Sequence, residues 1–299
     1  MTKKLVSLVL ALSMLLVCAS ALAEAAAQDT GITVTDMLGR EVSLDAPAEK
    51  IVAVTAANVE VLYALGAGDT LVGRGEWCNY PPEALEVTSV ESGYNTNIEQ
   101  IIALEPDLVI MSTMAQDQWD QLDAAGIPVL VIDAQDIAGV YESIRLIGAV
   151  VDKDEEAEKL VADMEAAFAE LTVSESTGKT VYFEISALEW GLWAAGPGTF
   201  MDEIGQMLGL TNIFSDVDSA WVQISQEQVI ERNPDYIVTT SMYGGDDEST
   251  VAEILGREGW GDIEAVKNGN VFSADNDQMT RPGPRLVEAA QALAAFLNK

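Results

Sequence analysis

NIEQIIALEPDLVIMST, from Asn97 to Thr113, and SQEQVIERNPDYIVTTS, from Ser225 to Ser241, are one unit written twice, 128 positions apart. Glu99 aligns with Glu227, Gln100 with Gln228, Ile102 with Ile230, and Pro106-Asp107 with Pro234-Asp235. Each copy predicts a short helix, a turn and a buried strand. Asn97 and Ser225 suit N-cap positions, and the glutamine three residues later fits a capping box. Pro106 and Pro234 stop the helices, because proline lacks the donor to continue and restricts the residue before it. Leu108–Met111 and Tyr236–Val238 are apolar on both faces, as parallel strands covered by helices are. A chain that carries this αβ unit in each half is expected to fold as two similar lobes facing a cleft.

The flanking sequence extends the same pattern. Ile32–Val34 and Glu41–Leu44 read as a small hairpin. Lys50–Val54, a helix over Asn58–Leu65 and Leu71–Gly73 lead into the first unit. A helix over Gln116–Ala125, the strand Pro128–Ile132 and a helix over Val140–Val150 follow it. Asp154 is expected to cap a charged helix reaching about Leu171, roughly 27 Å long at 1.5 Å per residue. Lys179–Ile185 restarts the strands, Phe200–Leu210 reads as a helix, and Asn270–Ala274 and a helix from Pro284 to Leu297 close the chain. Strand and helix in alternation argue for parallel sheets with helices on both faces. The organisation expected is a leader over 1–23, an N-terminal lobe over 24–150, a bridging helix over 151–173 and a C-terminal lobe over 174–299.

Lys3 and Lys4 precede the apolar run Leu5–Val17, and Ala21-Leu22-Ala23 follows as a small-residue cleavage site. This is the pattern of a secretory leader, shorter than the ~20 apolar residues a membrane-spanning helix needs. Leu15-Leu16-Val17-Cys18 also resembles a bacterial lipobox, with Val17 larger than the usual residue before the cysteine. Cleavage after Ala23 is the preferred reading, and lipidation of Cys18 the other. The expected location is extracytoplasmic, in the periplasm or at the cell surface. Apart from Cys18 only Cys78 is available, so no internal disulfide is expected.

The chain has 15 basic and 49 acidic residues, a net charge of -34. Nucleic acid, which needs a basic footprint, is excluded as a partner, and an anionic bilayer surface is disfavoured. A protein partner should offer arginine or lysine. There is no histidine, which removes Ser-His-Asp triads and zinc hydrolase motifs. No cofactor and no resident metal site are expected. A carboxylate pair could still serve a glycosidase, but Glu99 and Glu227 occupy equivalent places on different lobes, whereas such a pair lies within about 10 Å.

Aromatic residues gather where strands end. Trp77 and Tyr80 lie in EWCNYPPEA, Trp190 and Trp193 in ALEWGLWAAGPG, Trp221 before the second unit, and Met242 and Tyr243 after its strand. Met111 and Met114 follow the first. Ligands of open α/β sheets bind beyond the carboxyl ends of strands, so Trp77, Tyr80, Trp193, Trp221 and Tyr243 are candidate ligand contacts.

KIVAV followed by a helix, CNYPPEA, NIEQIIALEPDLVI, AAGPGTFMDEIGQMLGLTNIF, WVQISQEQVIERNPDYIV and RPGPRLVEAAQAL, in this order, resemble the substrate-binding proteins of bacterial ABC importers. They are similar to the group that captures cobalamin, haem and ferric siderophores, the class III periplasmic binding proteins. The resemblance implies two Rossmann-like lobes bridged by one long helix, a metal chelate held between them, limited closure, and no catalysis. It implies a monomer that docks on a permease with its ATPase through one glutamate per lobe, at the positions of Glu99 and Glu227. Tyr80, Trp193, Trp221, Asp277 and Arg281 fall where the cobalamin pocket is lined. Met111-Ser112-Thr113 stands where the cobalamin pattern has an aromatic residue. For haem, a histidine-free chain leaves only tyrosine or methionine to ligate iron. An exported enzyme or adhesin on the same scaffold is the alternative class.

Overall fold

The computed structural model of the protein describes residues 31–91, 96–113, 116–240 and 247–299. The leader with Cys18, and Met114, Met242 and Tyr243, lie outside the described residues. An antiparallel hairpin, β1 (Ile32–Thr35) and β2 (Glu41–Leu44), precedes the first lobe. The lobe contains β3 (Ile51–Ala53), α1 (Ala56–Ala64), β4 (Leu71–Gly75), β5 (Ser89–Val90), α2 (Ile98–Ala103), β6 (Leu108–Met111), α3 (Gln116–Ala124), β7 (Val129–Val131) and α4 (Ile137–Val150). Its sheet runs β5-β4-β3-β6-β7, all parallel.

The helix α5 (Asp154–Leu171) then crosses to the second lobe. Ala157, Val161, Met164 and Phe168 are its buried positions, a helical stripe that packs while the acidic face stays in water. Asp154 does not cap it. Lys153 holds the cap position and makes no side-chain cap bond; Asp154 is the first helical residue, where a negative charge favours the dipole.

The second lobe contains β8 (Lys179–Phe183), β9 (Trp193–Ala195), α6 (Phe200–Met207), β10 (Leu210–Asn212), β11 (Trp221–Gln223), α7 (Gln226–Arg232), β12 (Tyr236–Thr240), α8 (Asp247–Leu255), α9 (Glu264–Asn268), β13 (Val271–Ala274), α10 (Asn276–Thr280) and α11 (Leu286–Leu297). Its sheet runs β10-β8-β12-β13, again parallel, with β9 and β11 as an antiparallel pair beside it. The fold is therefore α/β, two parallel-sheet lobes joined by one long helix. The predicted helix over Phe200–Leu210 ends earlier, because Gly209 at φ 75° turns the chain and frees Leu210–Asn212 to pair with β8.

The repeat explains how each sheet is fastened. Glu105 and Asn233 occupy equivalent left-handed positions, φ 51° and 45°, and turn the chain into Pro106 and Pro234. The carboxylates that follow pin the neighbouring strand. Asp107 accepts from the amides of Glu49 and Lys50 ahead of β3, and Asp235 accepts from the Thr180 amide and hydroxyl in β8. The N-caps differ between the copies. Ser225 and Gln228 make the full reciprocal box. At Asn97 only half of it forms, because Gln100 instead donates its side-chain amide to the Ser89 carbonyl.

One continuous buried cluster runs from Val42 and Ile51 through α4 and α5 to Phe183, Leu286 and Leu293. The lobes share this core around α5, so their relative movement is restrained by packing as well as by the chain.

Candidate functional site between the lobes

The loops beyond the carboxyl ends of the two sheets meet at two edges. At one edge the loop after β4 and the helix α1 meet the segment after β13. Glu60 on α1, with a side chain 2% exposed, accepts from Arg281 Nη1 at 2.9 Å. It also accepts from Arg285 Nε and Nη2 at 2.8 and 2.6 Å. Arg281 further reaches Asp277 at 2.8 Å, the side-chain oxygen of Asn79 at 2.8 Å and the Trp77 carbonyl at 3.2 Å. Asn79 returns a bond to Asp277 at 3.1 Å. The Arg285 guanidinium lies over the Tyr80 ring, 4.1 Å from its centroid, a cation–π contact. The hydrogen bonds that Arg285 donates to Glu60 raise its pKa, so this arginine stays charged.

At the other edge the loop after β7 meets α6 and β11. The Gln135 carbonyl accepts from the Phe200 amide at 3.0 Å, and its side chain accepts from the Trp221 indole at 2.8 Å. The Ile137 amide donates to Glu203 at 2.7 Å. The Phe200 and Trp221 rings are 5.8 Å apart between centroids. By sheet order, the loops after β3 and β6 stand between these two edges, opposite those after β8 and β12. Thr113 beyond β6 is tied to Asp133 beyond β7 at 2.9 Å.

The structure thus gathers Trp77, Tyr80, Asp277 and Arg281 at one edge of the gap. Trp193 and Trp221 lie on the paired strands β9 and β11 at the other. Among the described residues, the exposed large aromatics are Trp77 and Trp190, both 67% exposed, Tyr80 at 43% and Trp193 at 38%. All four lie beyond or beside the carboxyl ends of β4 and β8.

Glu60, Asn79, Arg285 and Gln135 join the candidate residues through these bonds, and the motifs read from the sequence do not single them out. Glu60 left a signal: an acid in the otherwise apolar AANVEVLYA helix needs a cation once buried. Glu184, beyond β8, has a pKa raised by burial. It is sealed from the gap in a bidentate pair with Arg257, both side chains 2% exposed, and that pair is structural. Among the described residues no group of acids or cysteines is placed to hold a metal ion.

Cys78, one residue from Trp77, is buried. Burial pushes its thiol up from 9.0 to about 11, partly offset by a backbone hydrogen bond and the nearby arginines. A raised thiol pKa stabilises the fold fully below the ordinary value and is lost as pH rises through the folded one. Stability is therefore expected to fall between pH 9 and about 11, by up to about 1.4 kcal/mol per pH unit. Denaturant melts at a series of pH values check this as the difference between wild type and Cys78→Ala, since Tyr63, Tyr141 and Tyr182, also raised by burial, titrate in both. The native thiol should also resist iodoacetamide at neutral pH.

The periplasmic binding protein family model matches residues 51–278, a span holding both copies of the repeat, both sheets and α5. The chain belongs to the periplasmic binding protein family. An uncharacterised ABC transporter substrate-binding lipoprotein, YvrC, from Bacillus subtilis strain 168 is 36% identical over 274 residues, covering 88% of this chain and 84% of that protein. A vitamin B12-binding protein from Salmonella paratyphi A is 31% identical over 258 residues, covering 84% and 91%. A solved structure described as a possible iron-binding periplasmic solute-binding protein from Staphylococcus epidermidis superposes with a TM-score of 0.73 at 28% identity, covering 84% of this chain and 99% of that one. No helix among the described residues is long and apolar enough to cross a membrane.

Proposed function

We propose that this periplasmic binding protein captures a metal chelate between its lobes and delivers it to an ABC permease with its ATPase. The observation that carries this reading is the set of four exposed aromatic side chains, Trp77 and Tyr80 beyond β4 in one lobe and Trp190 and Trp193 beyond β8 in the other. Exposed rings cost free energy unless a ligand covers them, and a planar or macrocyclic chelate presents faces of matching size. The relatives named for vitamin B12 and iron support the same class.

The electrostatics narrow the ligand. Arg281 is the cation beside Trp77 and Arg285 the one over Tyr80, but Glu60 and Asp277 hold Arg281 and Glu60 also holds Arg285. Two cations against two carboxylates leave this edge near neutral within a strongly acidic protein. A neutral chelate, a corrinoid or a ferric hydroxamate, suits it better than a polyanionic catecholate or haem.

Tryptophan-quenching titrations with cyanocobalamin, a ferric hydroxamate, a ferric catecholate and haem test the proposal. One of the first two should bind tightly, and Trp77→Ala with Trp193→Ala should weaken it about tenfold per ring, near 1.4 kcal/mol each. Tight binding of the catecholate alone would overturn the charge argument. Undiminished binding in the double variant would overturn the aromatic one. In Arg281→Ala, unchanged affinity would leave that arginine as a fastening between lobes.

The lobes are proposed to lie outside the cytoplasmic membrane. Although cleavage after Ala23 is the simpler reading of the leader, the relative named a lipoprotein favours Cys18 as the anchor. Intact mass of the native protein should show a diacylglyceryl group on Cys18. A chain starting at Glu24 would restore soluble export.

A further inference from the structure

Ile102 and Ile230 are the two isoleucines exposed among the described residues, 39% and 37%, and the repeat places them at equivalent positions. Each stands three residues after the exposed glutamate of its unit, Glu99 or Glu227, on the same face of α2 or α7. The residue before each, Ile101 or Val229, is fully buried, so the helices are seated and the isoleucines point outward. Ile230 lies over the loop at Gly259, whose missing Cβ would stand 3.7 Å from its Cδ1. A lone exposed apolar residue needs no explanation. The same residue exposed at the same place on both lobes, beside the same unpaired acid, does.

The two acids carry no ion pair among the described residues, and Glu227 meets only its own amide and Ser225. Arg232 on α7 itself pairs with Asp216. The carboxyl of Glu227 is held below its usual range by its own amide and by Ser225, so it is ionised at neutral pH. The equivalent Asp107 and Asp235, in contrast, are consumed in holding strands. Each unit therefore offers one spare charge and one spare apolar knob, i and i+3 on one helix face.

We infer that Ile102 and Ile230 are the apolar anchors of the permease-docking surface. Each seats in a socket beside an arginine or lysine that meets Glu99 or Glu227. Charge complementarity commits the occupant, since a partner for these acids in a protein of net charge -34 must be basic. The duplication commits its form: two equivalent patches fit a partner that presents one surface twice, on two like subunits or halves. An apolar contact at the centre excludes water and strengthens the flanking ion pair. The inference rests on the proposed transport function and adds to it residues that slow dissociation.

Binding of the mature protein to the organism's own permease–ATPase complex in nanodiscs, read by surface plasmon resonance, tests this. Ile102→Ala and Ile230→Ala should each weaken binding roughly fivefold and together about thirtyfold, mainly through faster dissociation. Leu38→Ala and Leu255→Ala, exposed apolar residues outside the repeats, should leave it unchanged. Thermal melts of all four variants should match the wild type. Wild-type-like binding of the double isoleucine variant would overturn the inference. With a protein beginning at Glu24, which lacks Cys18 and so any acyl anchor, retention on empty nanodiscs that the double isoleucine variant loses would overturn it too, showing that the isoleucines enter lipid. Failure of the wild type to bind the complex at all would instead defeat the transport reading.

Discussion

Glu60→Ala is expected to destabilise the protein by about 3 kcal/mol, since removing one partner of a buried pair strands the other. Here it strands two. Arg281 and Arg285 are 13% and 12% exposed in their side chains, so water offsets only part of the loss. At roughly 2–4 °C per kcal/mol for a protein of this size, the melting temperature should fall by about 10 °C. The loss should be local as well as global. Hydrogen exchange should quicken first in α10 and the residues that follow it, where Arg281 fastens the second lobe to Asn79 and Trp77 of the first.

The same variant changes the charge of the gap. Without Glu60, the two guanidiniums keep only Asp277 and the more distant influence of Asp275, and that edge becomes more positive. A ferric catecholate that the wild type rejects should then gain affinity while a neutral corrinoid does not. Glu60→Gln should fall between, because its amide oxygen can still accept one arginine hydrogen bond. If both variants melt with the wild type, the ion pairs are solvated in solution and the lobes are held by the shared core alone.

Much of the scaffold is legible in the sequence because its signals are local. The two repeats announce helix, turn and strand through N-cap residues, Pro-Asp pairs and apolar runs, and those elements form at Ile98–Met111 and Gln226–Thr240. The stripe of α5 is equally direct. Three-residue strands such as β9, β10 and β11 carry too few side chains to show a period, and Gly209 at positive φ separates α6 from β10 without altering the apolar pattern. The site is less legible than the scaffold for a physical reason. Arg281 meets Glu60 across 221 positions of chain, and no periodicity reports a partner so distant. What the sequence does show is the acid in an apolar helix and the scarcity of arginines, which is half of that pair. The aromatic residues were legible as strand-end residues, but only burial separates the exposed Trp77, Tyr80 and Trp193 from Trp221, which is bonded to Gln135.

Glu99→Ala combined with Glu227→Ala is expected to abolish uptake while leaving ligand affinity within about threefold of the wild type, as exposed interface charges act on docking and register. Both residues are exposed in the first turn of short helices on the outside of each sheet. Neither belongs to the networks of the gap, which are built from Glu60, Asn79, Gln135, Asp277, Arg281 and Arg285. The repeat supplies an internal control. Asp107→Ala and Asp235→Ala remove carboxylates of the same two units, but these accept backbone hydrogen bonds at the starts of β3 and β8, so they should lower stability rather than uptake by folded protein. The measurement is transport of the identified chelate into proteoliposomes carrying the permease and ATPase, beside a tryptophan-quenching titration of each variant. Each single glutamate variant should retain partial uptake, because one lobe still docks. Loss of chelate binding in the double variant would place these glutamates in the gap and defeat the assignment of the duplicated face to the permease.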